Sequence, residues 1–132
     1  MDKCIFCSPL REKTFNEIKF ENANALVVAD SHPVSMGHML VISKQHFADW
    51  FVAPKEVQED INSLLQKTHF WLMQQYKPDG FNIGANCGKA AGQTVFHLHY
   101  HIIPRYTGDH PNPAGGIRHV IPSKGCYQNL GN

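Results

Sequence analysis

Gln93-Thr94-Val95-Phe96-His97-Leu98-His99-Tyr100-His101-Ile102-Ile103-Pro104-Arg105 is the stretch that decides the fold. Its three histidines alternate with apolar residues, which is the period of a β-strand, so they share one face while Leu98, Tyr100 and Ile102 take the other. At a strand rise of about 3.3 Å per residue, neighbouring imidazoles root roughly 6.6 Å apart. Core filling is a poor use of such a row, because each buried imidazole carries a donor and an acceptor that need partners. Two chemistries suit it better. Histidines at i and i+2 can share one metal, giving a three-histidine zinc site with an open water position. Alternatively one imidazole is a nucleophile supported by its neighbours, since neutral imidazole, with an ordinary pKa near 6.5, is abundant at pH 7. The spacing alone does not choose between them.

Outward from this stretch, Asn86-Cys87-Gly88-Lys89-Ala90-Ala91-Gly92 is a Gly- and Ala-rich loop, and Gly37-His38-Met39-Leu40-Val41-Ile42-Ser43-Lys44-Gln45-His46 carries an unbroken apolar run. That run predicts a central strand, buried on both faces. Together with His97-x-His99-x-His101-Ile-Ile, these segments resemble the histidine triad (HIT) family of nucleotide hydrolases and transferases. The resemblance covers roughly residues 4–106, in order. Ala91-Gly92-Gln93-Thr94-Val95 and Pro104-Arg105 resemble the branch that hydrolyses dinucleoside polyphosphates.

The resemblance implies an α+β, HIT-like fold, with a mostly antiparallel sheet of about five strands, one long helix and a short one, paired as a homodimer. It also implies chemistry. His99 is the expected nucleophile, attacking the α-phosphorus of a nucleotide to form a nucleotidyl-histidine that water then breaks. His101 is expected to hydrogen-bond a phosphoryl oxygen, and His38 to support the nucleophile's strand from its neighbour. Asn86, Gln93 and Thr94 fall where the family surrounds the phosphate. Asp30 falls where relatives accept from the ribose hydroxyls, although an aspartate capping its own turn is the local alternative. Phe6, Leu26 and Val28 are apolar candidates for the walls of a base slot. Within the same class the alternative is a nucleoside phosphoramidate hydrolase; outside it, a zinc-stapled module that binds or senses nucleotides without turnover.

Cys4-Ile5-Phe6-Cys7 is a C-x-x-C, readable as half a metal site, a redox pair or chance. Redox use asks for a helix after the motif, and Ser8-Pro9-Leu10 does not read as one. Some family members with a similar start complete a structural Cys₂His₂ zinc site, which here implies Cys4, Cys7, His46 and His97 as ligands. No organic cofactor is expected. Cys87 and Cys126 are read as thiols rather than disulfide partners, and His32, His69, His110 and His119 as surface or packing histidines.

The remaining expectations come from composition and pattern. A chain of 132 residues with net charge +1 fits one domain and carries no basic footprint for nucleic acid or an anionic membrane. No apolar run approaches the ~20 residues of a membrane helix, and Met1-Asp2-Lys3-Cys4 does not read as a signal peptide. A cytoplasmic protein is the expectation, and the resemblance implies a small nucleotide as its partner. Strands are predicted over Lys13 to Phe20, Ala25 to Ala29, His38 to Ser43, Phe81 to Ala85 and residues 95–103. A short helical turn fits somewhere in His46 to Ala53. From Pro54 to about Tyr76 the period changes to a helix, with Val57, Ile61, Leu64, Leu65, Thr68 and Leu72 on one face. Residues 1–106 are read as the HIT-like domain, and 107–132 as an irregular Gly- and Pro-rich tail packed on it.

Overall fold

Met39–Ser43, the unbroken apolar run, is buried at every position and forms the middle strand of the sheet. In the computed structural model, which describes residues 4–12, 15 and 17–126, five strands pair antiparallel throughout. They are β1 (Phe20–Glu21), β2 (Ala25–Ala29), β3 (Met39–Ser43), β4 (Gly80–Gly84) and β5 (His99–Arg105), lying in the order β1-β2-β3-β5-β4. Two α-helices accompany them, α1 (Cys7–Glu12) and α2 (Lys55–Gln75).

Helix α2 covers one face only. Val57, Ile61, Leu64, Thr68 and Leu72 are its buried stripe, as their three-and-four spacing predicts, with Leu65 half-buried beside them. They pack on Ala25, Val27, Met39, Val41 and Ile102. The other face carries a separate apolar cluster of Phe6, Leu26, Val28, Leu40 and Ile42. Register fixes which face the histidines take: Leu40 stands opposite His101 and Ile42 opposite His99. The face carrying His99 and His101 therefore looks away from α2.

Gly37 joins the two layers just before His38. Its φ is +91°, and a Cβ there would lie 2.9 Å from Leu72 Cδ2. Only glycine lets the loop turn left-handed against the helix and still deliver His38 to the start of β3.

Three sequence expectations need correction. The strand over Lys13 to Phe20 is reduced to Phe20–Glu21, with Lys19 N–H adding one bond to Val27 O; Lys13, Thr14 and Asn16 lie outside the described residues, as do residues 127–132 of the tail. The triad strand is shifted to His99–Arg105, leaving His97 ahead of it, because Leu98 N–H bonds to Phe47 O and Leu98 O accepts from Ser43 N–H. Ser8-Pro9-Leu10 is helical after all. In α1, Pro9 sits within the first turn, where its missing N–H costs nothing. The short helical turn does form, as a 3-10 turn over Trp50–Val52 capped by the Asp49 carboxylate, which accepts from Phe51 and Val52 N–H.

The chain after β5 runs through turns, with 3-10 turns over Gly116–Val120 and Pro122–Lys124. Arg105 and Asp109 pair through two short hydrogen bonds, and the guanidinium holds the Asp109 carboxyl well below the usual carboxylate range. Tyr106 Oη donates to Met36 O, and Thr107 N–H to Asp79.

Candidate functional site

Antiparallel pairing of β3 with β5 sets the residues after β3 beside those before β5. His46 and His97 meet there. His97 is wholly buried, and its Nε2 lies 2.7 Å from Ser43 O. A carbonyl only accepts, so Nε2 carries the hydrogen and Nδ1 is left with a lone pair. That nitrogen faces His46 Nδ1 at 3.1 Å, Cys4 Sγ at 3.5 Å and Cys7 Sγ at 3.5 Å, while Cys7 Sγ is 3.1 Å from His46 Nδ1. Burial holds the His97 pKa below its ordinary value, which keeps the ring neutral. A tetrahedral zinc with bonds of about 2.0–2.3 Å spaces its ligand atoms about 3.3–3.8 Å apart, a little wider than this set. All four expected ligands are brought together, with Cys7 opening α1.

His99 is wired differently. Its Nδ1 lies 2.8 Å from His97 O, so the ring donates there, and in the neutral ring the lone pair falls on Nε2. Phe6 meets His97 and His99 edge-on, with centroids 5.7 and 5.3 Å apart. It was expected only as a base wall; here its ring lies edge-on against both imidazoles.

His101 turns to a third set of partners. Its Nδ1 is 2.9 Å from His38 Nε2 and 3.8 Å from Asp30 Oδ2. Asp30 divides its oxygens: Oδ1 accepts from His32 N–H at 2.8 Å, the local turn cap, and Oδ2 stands 3.4 Å from His38 Nε2. Burial lowers the pKa of both His38 and His101, with Asp30 pulling the other way. The triad histidines thus do not converge on one centre, and a three-histidine metal site has no geometric support.

The loop between β4 and β5 places its residues unequally. Gln93 is buried, and its amide is spent internally: Oε1 accepts from Gly88 N–H at 2.7 Å, and Nε2 donates to Ala48 O and Val95 O. It braces the loop and has no group turned outward. Asn86 and Thr94 are exposed on the same loop, which leaves β4 at Gly84, the residue opposite His101. Sequence reasoning missed two groups, the Ser43 carbonyl and the Val34 amide, because backbone atoms carry no residue signal.

Residues 12–108 match the HIT domain. The chain belongs to the HIT family. This HIT chain is 34% identical over 106 residues to an adenylylsulfatase of Arabidopsis thaliana, covering 80% of this chain and 54% of that one. Among solved structures, a Zn-bound histidine triad family protein from Mycobacterium smegmatis is 35% identical with a TM-score of 0.76, covering 84% of this chain and 81% of that one. A hypothetical histidine triad nucleotide-binding protein from Sulfolobus tokodaii is 34% identical with a TM-score of 0.74, covering 83% and 73%. The α+β sheet with one long helix is thus the HIT fold. No helix among the described residues is long and apolar enough to cross a membrane.

Proposed function

We propose that this HIT protein hydrolyses nucleotides at the α-phosphate through a covalent nucleotidyl-histidine on His99. The observation that carries the reading is His99 Nδ1 held 2.8 Å from the His97 carbonyl, which leaves the lone pair of the neutral ring on Nε2, on the face away from α2. Nε2 attacks phosphorus and the leaving group departs with its electron pair. Water then attacks the phosphoramidate, releasing the nucleoside monophosphate and returning the nitrogen. Phosphoryl transfer asks a protein mainly for positioning and charge stabilisation, which His101, Asn86 and Thr94 would supply. Gln93 contributes by shaping the loop. Asp30 accepts from the ribose.

The substrate class we favour is dinucleoside polyphosphates. The Arabidopsis adenylylsulfatase adds adenylyl sulfate to the assay panel, and an adenosine phosphoramidate completes it. Rapid quench with α-labelled substrate should trap an acid-labile adduct on the peptide bearing His99. Inversion at phosphorus, with no adduct, would sink the two-step route.

Zinc on Cys4, Cys7, His46 and His97 is part of the same reading. Two imidazole nitrogens 3.1 Å apart beside two cysteine sulfurs form a soft Cys₂His₂ donor set that suits a zinc ion at its centre. The metal would pin the N-terminal segment and fix the start of the triad strand; it takes no part in the reaction. Thiolate ligands suit a reducing, cytoplasmic compartment. A homodimer fits as well. Strand β4 ends the sheet, and exposed Ile83 on it, with Phe70 and Met73 on α2, offers a second copy an apolar edge.

A further inference from the structure

Asp30, His38 and His101 bring a carboxylate oxygen and two imidazole nitrogens within 4.8 Å of one another. Such a group can be a second divalent-cation site or a chain of hydrogen bonds, and a backbone amide decides. Val34 N–H can only donate, and it lies 3.0 Å from His38 Nδ1. That nitrogen therefore presents a lone pair, and a neutral His38 must carry its hydrogen on Nε2. His38 Nε2 in turn lies 2.9 Å from His101 Nδ1 and 3.4 Å from Asp30 Oδ2, so its hydrogen points at the His101 nitrogen, which must meet it with a lone pair. A cation among the three would require His38 to lose its last ring proton or to break the Val34 bond. The chain of hydrogen bonds requires neither.

The consequence reaches His101. With Nδ1 occupied as an acceptor, its own hydrogen must sit on Nε2. We infer that His38 is a positioning residue: the Val34 amide sets its tautomer, and it fixes His101 as an Nε2–H donor aimed at the phosphoryl group. Only the last clause rests on the proposed phosphoryl transfer. His99 and His101 thereby take opposite tautomers two residues apart, each set by the backbone. The His97 carbonyl leaves His99 a lone pair for attack, and the Val34 amide, acting through His38, leaves His101 a hydrogen. That division is what the chemistry needs. Phosphoryl oxygens carry negative charge, so a donor stabilises them and a second lone pair would repel them.

Histidine-labelled protein carrying its zinc, observed by long-range proton–nitrogen correlation at neutral pH, reads the tautomer of each ring directly. His38 and His101 should both be Nε2–H. His101 as Nδ1–H, or a cationic His38, overturns the inference whatever the activity. In folded His38→Ala, the His101 tautomer should become mixed, and kcat should fall about tenfold to a hundredfold, the scale of lost positioning. His38→Gln, whose amide hydrogen can reach His101 Nδ1, should recover part of both. A His101 tautomer unchanged in His38→Ala ends the positioning role. A second equivalent of zinc that moves the His38 and His101 signals would replace the relay with a metal site. If the tautomers are as stated but no nucleotide is turned over by wild-type protein, the hydrolase reading fails and the tautomer assignment stands.

Discussion

His97 and His101 stand four residues apart in one stretch, and each has one ring nitrogen committed to a partner within the chain. At His97 the committed nitrogen donates, to Ser43 O, and the remaining lone pair looks into two sulfurs and another imidazole nitrogen. Two soft sulfurs beside two imidazole nitrogens are the donor set a zinc ion would take, which is the reading proposed for that end. At His101 the committed nitrogen accepts, and the hydrogens run without a gap from the Val34 amide through His38. In the proposed reading the same side chain is a metal ligand at one end and a hydrogen-bond donor at the other. Residue type allows both roles; the backbone group within reach selects one.

The sharpest way to break this contrast is at the histidine between them. His99→Ala should lower turnover by several orders of magnitude, the scale of nucleophile loss, with the fold intact. A variant retaining more than about a tenth of wild-type activity would contradict a nucleophilic role on that scale. The zinc end should behave in reverse. Metal analysis should find close to one zinc per chain. Cys4→Ser should cost about 3 kcal/mol, the linkage expected for a ligand near a hundredfold above its Kd, while folded protein keeps most of its turnover. Zinc-free protein with an unaltered melting curve would remove the metal from that end.

Both ends of the stretch should survive loss of a partner, since every contact described lies within one chain. Ile83→Glu places a charge on the exposed edge of β4, where a second copy would dock. Wild-type protein should sediment as a dimer and the variant as a monomer, with its zinc content unchanged. A monomeric wild type refutes the dimer and leaves the two ends as they are.

How much of this was legible follows from which interactions are local. The alternation of His97, His99 and His101 placed them on one side of a strand, and Met39-Leu40-Val41-Ile42 announced the central strand, because both are short-range patterns. The stripe from Val57 to Leu72 gave α2 for the same reason. The start of β5 was misplaced because Ser43 and Phe47, more than 50 residues away, hold Leu98. Helix α1 is six residues long, too short to be stable alone, so its formation through Ser8-Pro9 depends on what Cys7 and Phe6 touch. Gln93 reads as a ligand-facing polar residue in sequence; only the fold shows its amide spent on Gly88, Ala48 and Val95.

The smallest effect is a pH dependence of stability at the His101 end. Burial lowers the pKa of His38, and the attraction of Asp30 offsets only part of that. Burial also lowers the pKa of His101, and positive charge on His99 or His38 lowers it further, against Asp30. In the unfolded chain both rings titrate near 6.5. Below that pH the unfolded chain holds protons that the folded chain refuses, so stability must fall as pH falls. The contribution is whole above about pH 6.5 and shrinks on acidification towards the lowered folded values; below those it is gone and changes no further. His97 has a depressed pKa as well, but zinc on Nδ1 with Nε2–H on Ser43 O leaves it no proton to take. The slope in zinc-loaded protein should therefore belong to His38 and His101. Denaturant midpoints should drop from about pH 7.5 to about pH 5.5, and His38→Gln, which removes one of the two titrating rings, should flatten the drop. A wild-type midpoint that holds or rises over that interval would mean the folded chain accepts protons there freely, and a relay of neutral rings has no place in such a protein.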